Sequence, residues 1–174
     1  MNKLIPVYRI VGYILIVIAG ILGLGDLLIL LGSLGNPLIL IEAFIVIAVI
    51  IYSFASFNFY NAGVQKGKVF KRSFRDLVNI NAYITLLFAI MTLASTIMLV
   101  ANPASLNDYN NQVIKAQSSY GSVGLTKQYL MRVAMIVMYI SIAYSILLLF
   151  HVMVTLKLLK QYSYLFGKKD EQQQ

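Results

Sequence analysis

Residues 10–60 read IVGYILIVIAGILGLGDLLILLGSLGNPLILIEAFIVIAVIIYSFASFNFY, two apolar runs joined at Gly32-Ser33-Leu34-Gly35-Asn36-Pro37. Each run reaches the ~20 residues a helix needs to cross the hydrocarbon of a bilayer. The joining turn carries no charge, so the stretch predicts a helical hairpin across a membrane. One carboxylate lies in each run, Asp26 and Glu42, both eight positions from Leu34. An antiparallel hairpin therefore holds them at about the same depth. A charge inside hydrocarbon costs ~2.5–3.5 kcal/mol on insertion scales, so intramembrane acids face protein or water and have partners.

Outward from this hairpin the pattern repeats. The chain has 174 residues, 60% of them hydrophobic and 11% charged, which is too apolar for an ordinary soluble domain. Four segments are long enough to span: residues 10–31, 38–59, 80–101 and 129–156. The expected fold class is all-α, a four-helix transmembrane bundle forming a single integral membrane domain over residues 1–174. A basic loop at 61–79, an outer loop at 102–128 and a polar tail at 161–174 complete it.

The net charge of +8 is unevenly distributed. Lys3, Arg9, Lys66, Lys68, Lys71, Arg72, Arg75, Lys157, Lys160, Lys168 and Lys169 fall on one side of the implied membrane, and Lys115, Lys127 and Arg132 on the other. By the positive-inside rule both termini and the 61–79 loop are cytoplasmic. This layout makes membrane lipids, not nucleic acid, the partner that the charge implies. Lys3 and Arg9 before an apolar run resemble a secretion signal, but the run is about twice the usual length and no small-x-small site ends it. It is expected to remain as the first span. The absence of an Asn-x-Ser/Thr sequon fits a bacterial plasma (inner) membrane.

Faces follow from spacing. Gly12, Ala19, Gly23 and Asp26 lie at steps of seven, four and three, on one side of a helix, where small residues let another backbone approach. Glu42, Val46, Val49, Ser53, Ser56 and Tyr60 form a heptad-type seam. Tyr8 and the cluster Tyr52, Phe54, Phe57, Phe59 and Tyr60 suit an interfacial aromatic belt. In the basic loop Phe70, Phe74, Leu77 and Val78 oppose Lys71, Arg72 and Arg75, an amphipathic helix expected to lie at the inner surface. Lys66, Lys68, Lys71, Arg72 and Arg75 are its anionic-lipid contacts. Thr85, Thr92, Ser95 and Thr96 of the third segment are expected to bond backbone carbonyls. Leu106, Tyr109, Val113 and Tyr120 hint at a short helix in the outer loop, with a turn at Gly121 and Gly124.

Arg132 lies near the outer end of the fourth segment, at nearly the depth of Asp26 and Glu42. An intramembrane polar cluster of Asp26, Glu42 and Arg132 is expected, because a fork-shaped cation offsets desolvation of the acids. Arg132 reaching alone to the outer surface is the open alternative. His151 is the lone histidine, on one side with Tyr144 and Thr155, and suits a structural role. One histidine and no cysteine supply neither a bis-histidine haem nor a typical zinc site, so no metal and no cofactor is expected. No phosphate loop, G-x-S-x-G elbow or H-E-x-x-H motif occurs. The expected function is non-enzymatic, a structural or accessory subunit packed against other membrane-protein subunits or as a homo-oligomer. The alternative is an ion- or proton-coupled channel or transporter component using Asp26 and Glu42.

Overall fold

The computed structural model describes residues 4–32, 37–102, 104–105, 107–108, 111–112, 114–115 and 127–167. All four long elements are helices: α1 (Leu4–Gly32), α2 (Pro37–Asn58), α3 (Arg72–Ala101) and α4 (Lys127–Gln161). A π-helical turn, Phe59–Val64, extends α2, and a 3₁₀ turn, Ser163–Leu165, follows α4. Each long helix contains a stretch able to cross a membrane: Ile5–Leu27, Leu40–Val64, Arg72–Ala101 and Met131–Gln161. The chain is all-α, with the four apolar helices of a small integral membrane protein. The 33–36 turn, Lys3, Lys168 and Lys169 lie outside the described residues, as do Leu106, Tyr109, Val113, Tyr120, Gly121 and Gly124. The described positions between Ala104 and Lys115 are helical.

Two compact units form, one from residues 1–88 with 148–174 and the other from residues 89–147. In the first, α1 packs mainly on α2. Its buried stripe runs Tyr8, Gly12, Leu15, Ala19 and Asp26, the three-and-four spacing of one helix face. Gly23 is half-buried, and a Cβ there would touch Ile50 at 3.5 Å. On α2 the seam is buried at Val49, Ser53, Ser56 and Tyr60, while Glu42 is exposed. Ser53 donates to the Val49 carbonyl (2.8 Å) and Ser56 to that of Ser53 (3.2 Å), which satisfies both hydroxyls within their own helix and lets them face the interior.

The basic loop departs from expectation. No separate surface-lying helix forms over residues 61–79; α3 begins at Arg72 and continues into the third span. Thirty residues rise ~45 Å at 1.5 Å each, well beyond ~30 Å of hydrocarbon, so the first turn of the same helix carries Arg72 and Arg75, while Lys66, Lys68 and Lys71 precede it. Before α3, the chain turns at Gly67, whose φ of 69° is a left-handed conformation that glycine adopts at little cost. Phe70 then forms an isolated parallel bridge with Phe166, its N–H donating to the Leu165 carbonyl at 2.7 Å. Phe70 and Val78 are buried, Phe74 is half-buried and Leu77 is exposed.

Nor do the aromatics form a simple belt. Tyr8, Tyr52, Phe59 and Tyr60 are buried, Phe57 is half-buried and only Phe54 of this set is exposed. Phe59 stacks on Phe166 at 5.5 Å and Phe70 on Phe74 at 4.5 Å. Around them Ala55, Val78, Leu158, Leu159 and Leu165 complete a core. The tyrosines turn inward because polar partners wait there.

The second unit comprises the later part of α3, the connection after it and the early part of α4. Ala89, Thr96, Met138 and Ser145 are its buried residues among those described. Ser95 and Thr96 donate to the Met91 and Thr92 carbonyls, both at 2.7 Å. Tyr144 and Ser145 bury their hydroxyls without a hydrogen-bond partner among the described residues.

Candidate functional site

The densest polar constellation of the first unit joins three helices. Tyr8 comes from α1, Tyr52 from α2, and His151 and Thr155 from α4, where a spacing of four places them on one face. Tyr8, Tyr52 and His151 are each no more than 1% exposed and Thr155 is fully buried. Tyr8 stacks on the imidazole, with ring centroids 4.3 Å apart and planes at 7°. The Tyr8 hydroxyl lies 2.9 Å from Thr155 Oγ1, and the Tyr52 hydroxyl is 2.9 Å from that oxygen and 2.7 Å from His151 Nδ1. Thr155 Oγ1 in turn donates to the His151 carbonyl at 2.9 Å.

Proton supply assigns the direction of each bond. The Thr155 proton goes to the carbonyl, which can only accept. Tyr8 and Tyr52 then both donate to Thr155 Oγ1, filling its two acceptor sites. With its single proton used, Tyr52 accepts from Nδ1–H of a neutral His151 ring. The opposite tautomer leaves one of the four contacts without a proton, so the count selects the Nδ1–H form. His151 Nε2 is then a bare lone pair.

That atom is buried without a hydrogen-bond partner among the described residues, and Gly12 explains its surroundings. A Cβ on Gly12 would lie 3.3 Å from Nε2 and 3.9 Å from Phe57 Cδ2. The glycine thus leaves the imidazole edge the room that a side chain would take. Chemically the arrangement is a closed lock. No nucleophile is activated in it, and the proximity of Gly12 closes the approach to Nε2. Among the described residues, no three His, Cys, Asp or Glu side chains gather to hold a metal ion.

The members of the expected carboxylate cluster fall in both units. Asp26 lies within α1 (Leu4–Gly32), with five apolar residues after it, Glu42 in the second turn of α2 (Pro37–Asn58) and Arg132 in the second turn of α4 (Lys127–Gln161). Asp26 is buried, whereas Glu42 and Arg132 are exposed. Asp26 and Glu42 belong to the first unit and Arg132 to the second. Within the first unit Asp26 and Glu42 form no ion pair among the described residues. Lys66, Lys68, Lys71, Arg72 and Arg75 are all exposed in the first unit.

His151, Thr155 and Gly12 had each been marked by spacing, yet their partners had not. Tyr8 and Tyr52 carry the right chemistry, but only the long-range packing of α1 and α2 on α4 selects them over Tyr144. No protein-family model, curated protein or solved structure matches this chain.

Proposed function

We propose that the protein is a non-enzymatic accessory component of a larger membrane assembly, held to other subunits or to further copies of itself through the open faces of its spans. One observation carries this. In the apolar stretches of α3 and α4 only 17% of the span window is buried within the chain, against 28% and 39% in α1 and α2. Lipid can cover such faces. Protein is favoured where small residues are left open, and nothing lies within 4 Å of a Cβ built on Gly20 or Gly25. In lipid, helices associate by close packing at such positions. The polar constellation supports the same reading, since it ties three helices together and offers no reactive group.

Cytoplasmic termini, which the charge distribution favours, and a bacterial inner membrane, which the absence of a sequon fits, are part of the proposal. Gentle detergent extraction followed by identification of co-purifying proteins tests the function. A discrete companion, or a defined homo-oligomer, is expected; a clean monomer overturns the proposal. Asp26→Asn combined with Glu42→Gln is expected to preserve both abundance and companion. Loss of an ion flux with the fold intact would favour a transport protein instead.

A further inference from the structure

We propose that the basic end of the first unit binds a single anionic phospholipid, its phosphate between Lys68 and Lys71 and an acyl chain lying over Phe74 and Leu77. A cleft of about 560 Å³ opens there, lined by Lys68, Val69, Lys71, Ser73, Phe74 and Leu77. Its lining mixes two chemistries. Lys68 and Lys71 supply cations, and residues 66–77 hold five cations against one acid, Asp76, with no ion pair among these residues. Val69, 53% exposed, and Leu77, 43% exposed, supply apolar surface. Uncompensated cations beside uncovered aliphatic groups match an amphiphile with an anionic head, and match neither a free anion nor a nucleic acid.

The cleft is built before any lipid arrives. Phe70 is pinned to Leu165 and Phe166, Phe74 stacks on Phe70, and Lys68 Nζ sits 5.7 Å from the Phe70 ring centroid. Leu77 belongs to the apolar helix Arg72–Ala101, so the cleft continues into the span where acyl chains lie. Organised cations of this kind beside a span draw anionic headgroups.

The test uses the full-length protein in nanodiscs of phosphatidylcholine doped with phosphatidylglycerol, released for native mass spectrometry. The wild type is expected to retain one phosphatidylglycerol in preference to phosphatidylcholine. Lys68→Gln with Lys71→Gln is expected to weaken retention about thirtyfold, the scale of losing two basic contacts to a headgroup. Lys157→Gln with Lys160→Gln, equally exposed and of equal charge, is expected to leave it unchanged. Leu77→Ser is expected to weaken retention, and millimolar inorganic phosphate to displace nothing. Equal effects of the two lysine pairs, no preference for phosphatidylglycerol, an inert Leu77→Ser or displacement by phosphate each overturn the assignment. The last two outcomes would reveal a headgroup-only or free-anion site.

Discussion

At the scale of single residues, the proton count around His151 makes an ordered set of expectations. Tyr52 both donates and accepts in the network, whereas Tyr8 only donates. Tyr52→Phe leaves the buried Nδ1–H without an acceptor, a loss of about 1–3 kcal/mol. Tyr8→Phe removes one donor from a threonine whose own proton stays bonded, and about 0.6 kcal/mol is expected, the average for bonds between membrane helices. Unfolding in mixed micelles with increasing SDS should rank Tyr52→Phe well below Tyr8→Phe; the reverse order would contradict the assigned directions. ¹⁵N spectra of labelled histidine should place the ring proton on Nδ1. Gly12 and Gly20 provide a matched pair. A side chain on Gly12 meets the imidazole, so Gly12→Val is expected to destabilise by more than about 1 kcal/mol, as overpacking in a close-packed interior does. Gly20→Leu fills open space and should shift monomer stability within about 0.5 kcal/mol, the range of an unconstrained surface site. If the proposed companion packs at that face, the same Gly20→Leu should nevertheless reduce its co-purification.

At the scale of elements, the least expected feature is the linkage between the π-helical turn and the segment after α4. Gly63 is buried in that turn, and a Cβ on it would lie 2.8 Å from Phe70 Cε2. Something must shift, and Phe70 is held by both its bridge and its stack. Gly63→Ala is therefore expected to loosen the loop, faster trypsin cleavage at Lys66 and Lys68 being the measure, with Gly20→Leu as the unaffected control. Phe166→Ala should act likewise, since it removes the stacking partner of Phe59. The spans themselves were legible because bilayer thickness imposes one length and every apolar run meets it. The start of α3 was not, because Phe70, Phe74 and Val78 opposite Lys71 and Arg75 write the same periodicity whether a helix lies on a membrane or projects from it. A contact between residues 70 and 166 decides the matter, and no local pattern encodes it. The carboxylates illustrate the converse: Asp26 and Glu42 lie at equal sequence distance from Leu34, but the packing around each sets its exposure, and Asp26 is buried while Glu42 is exposed.

At the scale of the whole molecule, charge and packing divide the chain in the same way. Eleven of the fourteen lysines and arginines fall within residues 1–88 and 148–174, and Lys115, Lys127 and Arg132 within 89–147. If the excess of positive charge governs insertion, the first unit's basic end faces the cytoplasm and the connection after α3 faces outward. The chain contains no cysteine, so a single introduced thiol reports unambiguously. Gln65, Ser163 and Gln112 are exposed, the first two in the first unit and the third in the second. With a membrane-impermeant maleimide on intact cells, Gln112→Cys is expected to label. Gln65→Cys and Ser163→Cys should label only after permeabilisation. Reversed labelling of all three would invert the orientation while preserving four crossings. Labelling of Gln65→Cys and Ser163→Cys on different faces would instead break the pairing of α3's start with α4's end, because Phe70 and Phe166 meet in one bridge and a bilayer cannot lie between them.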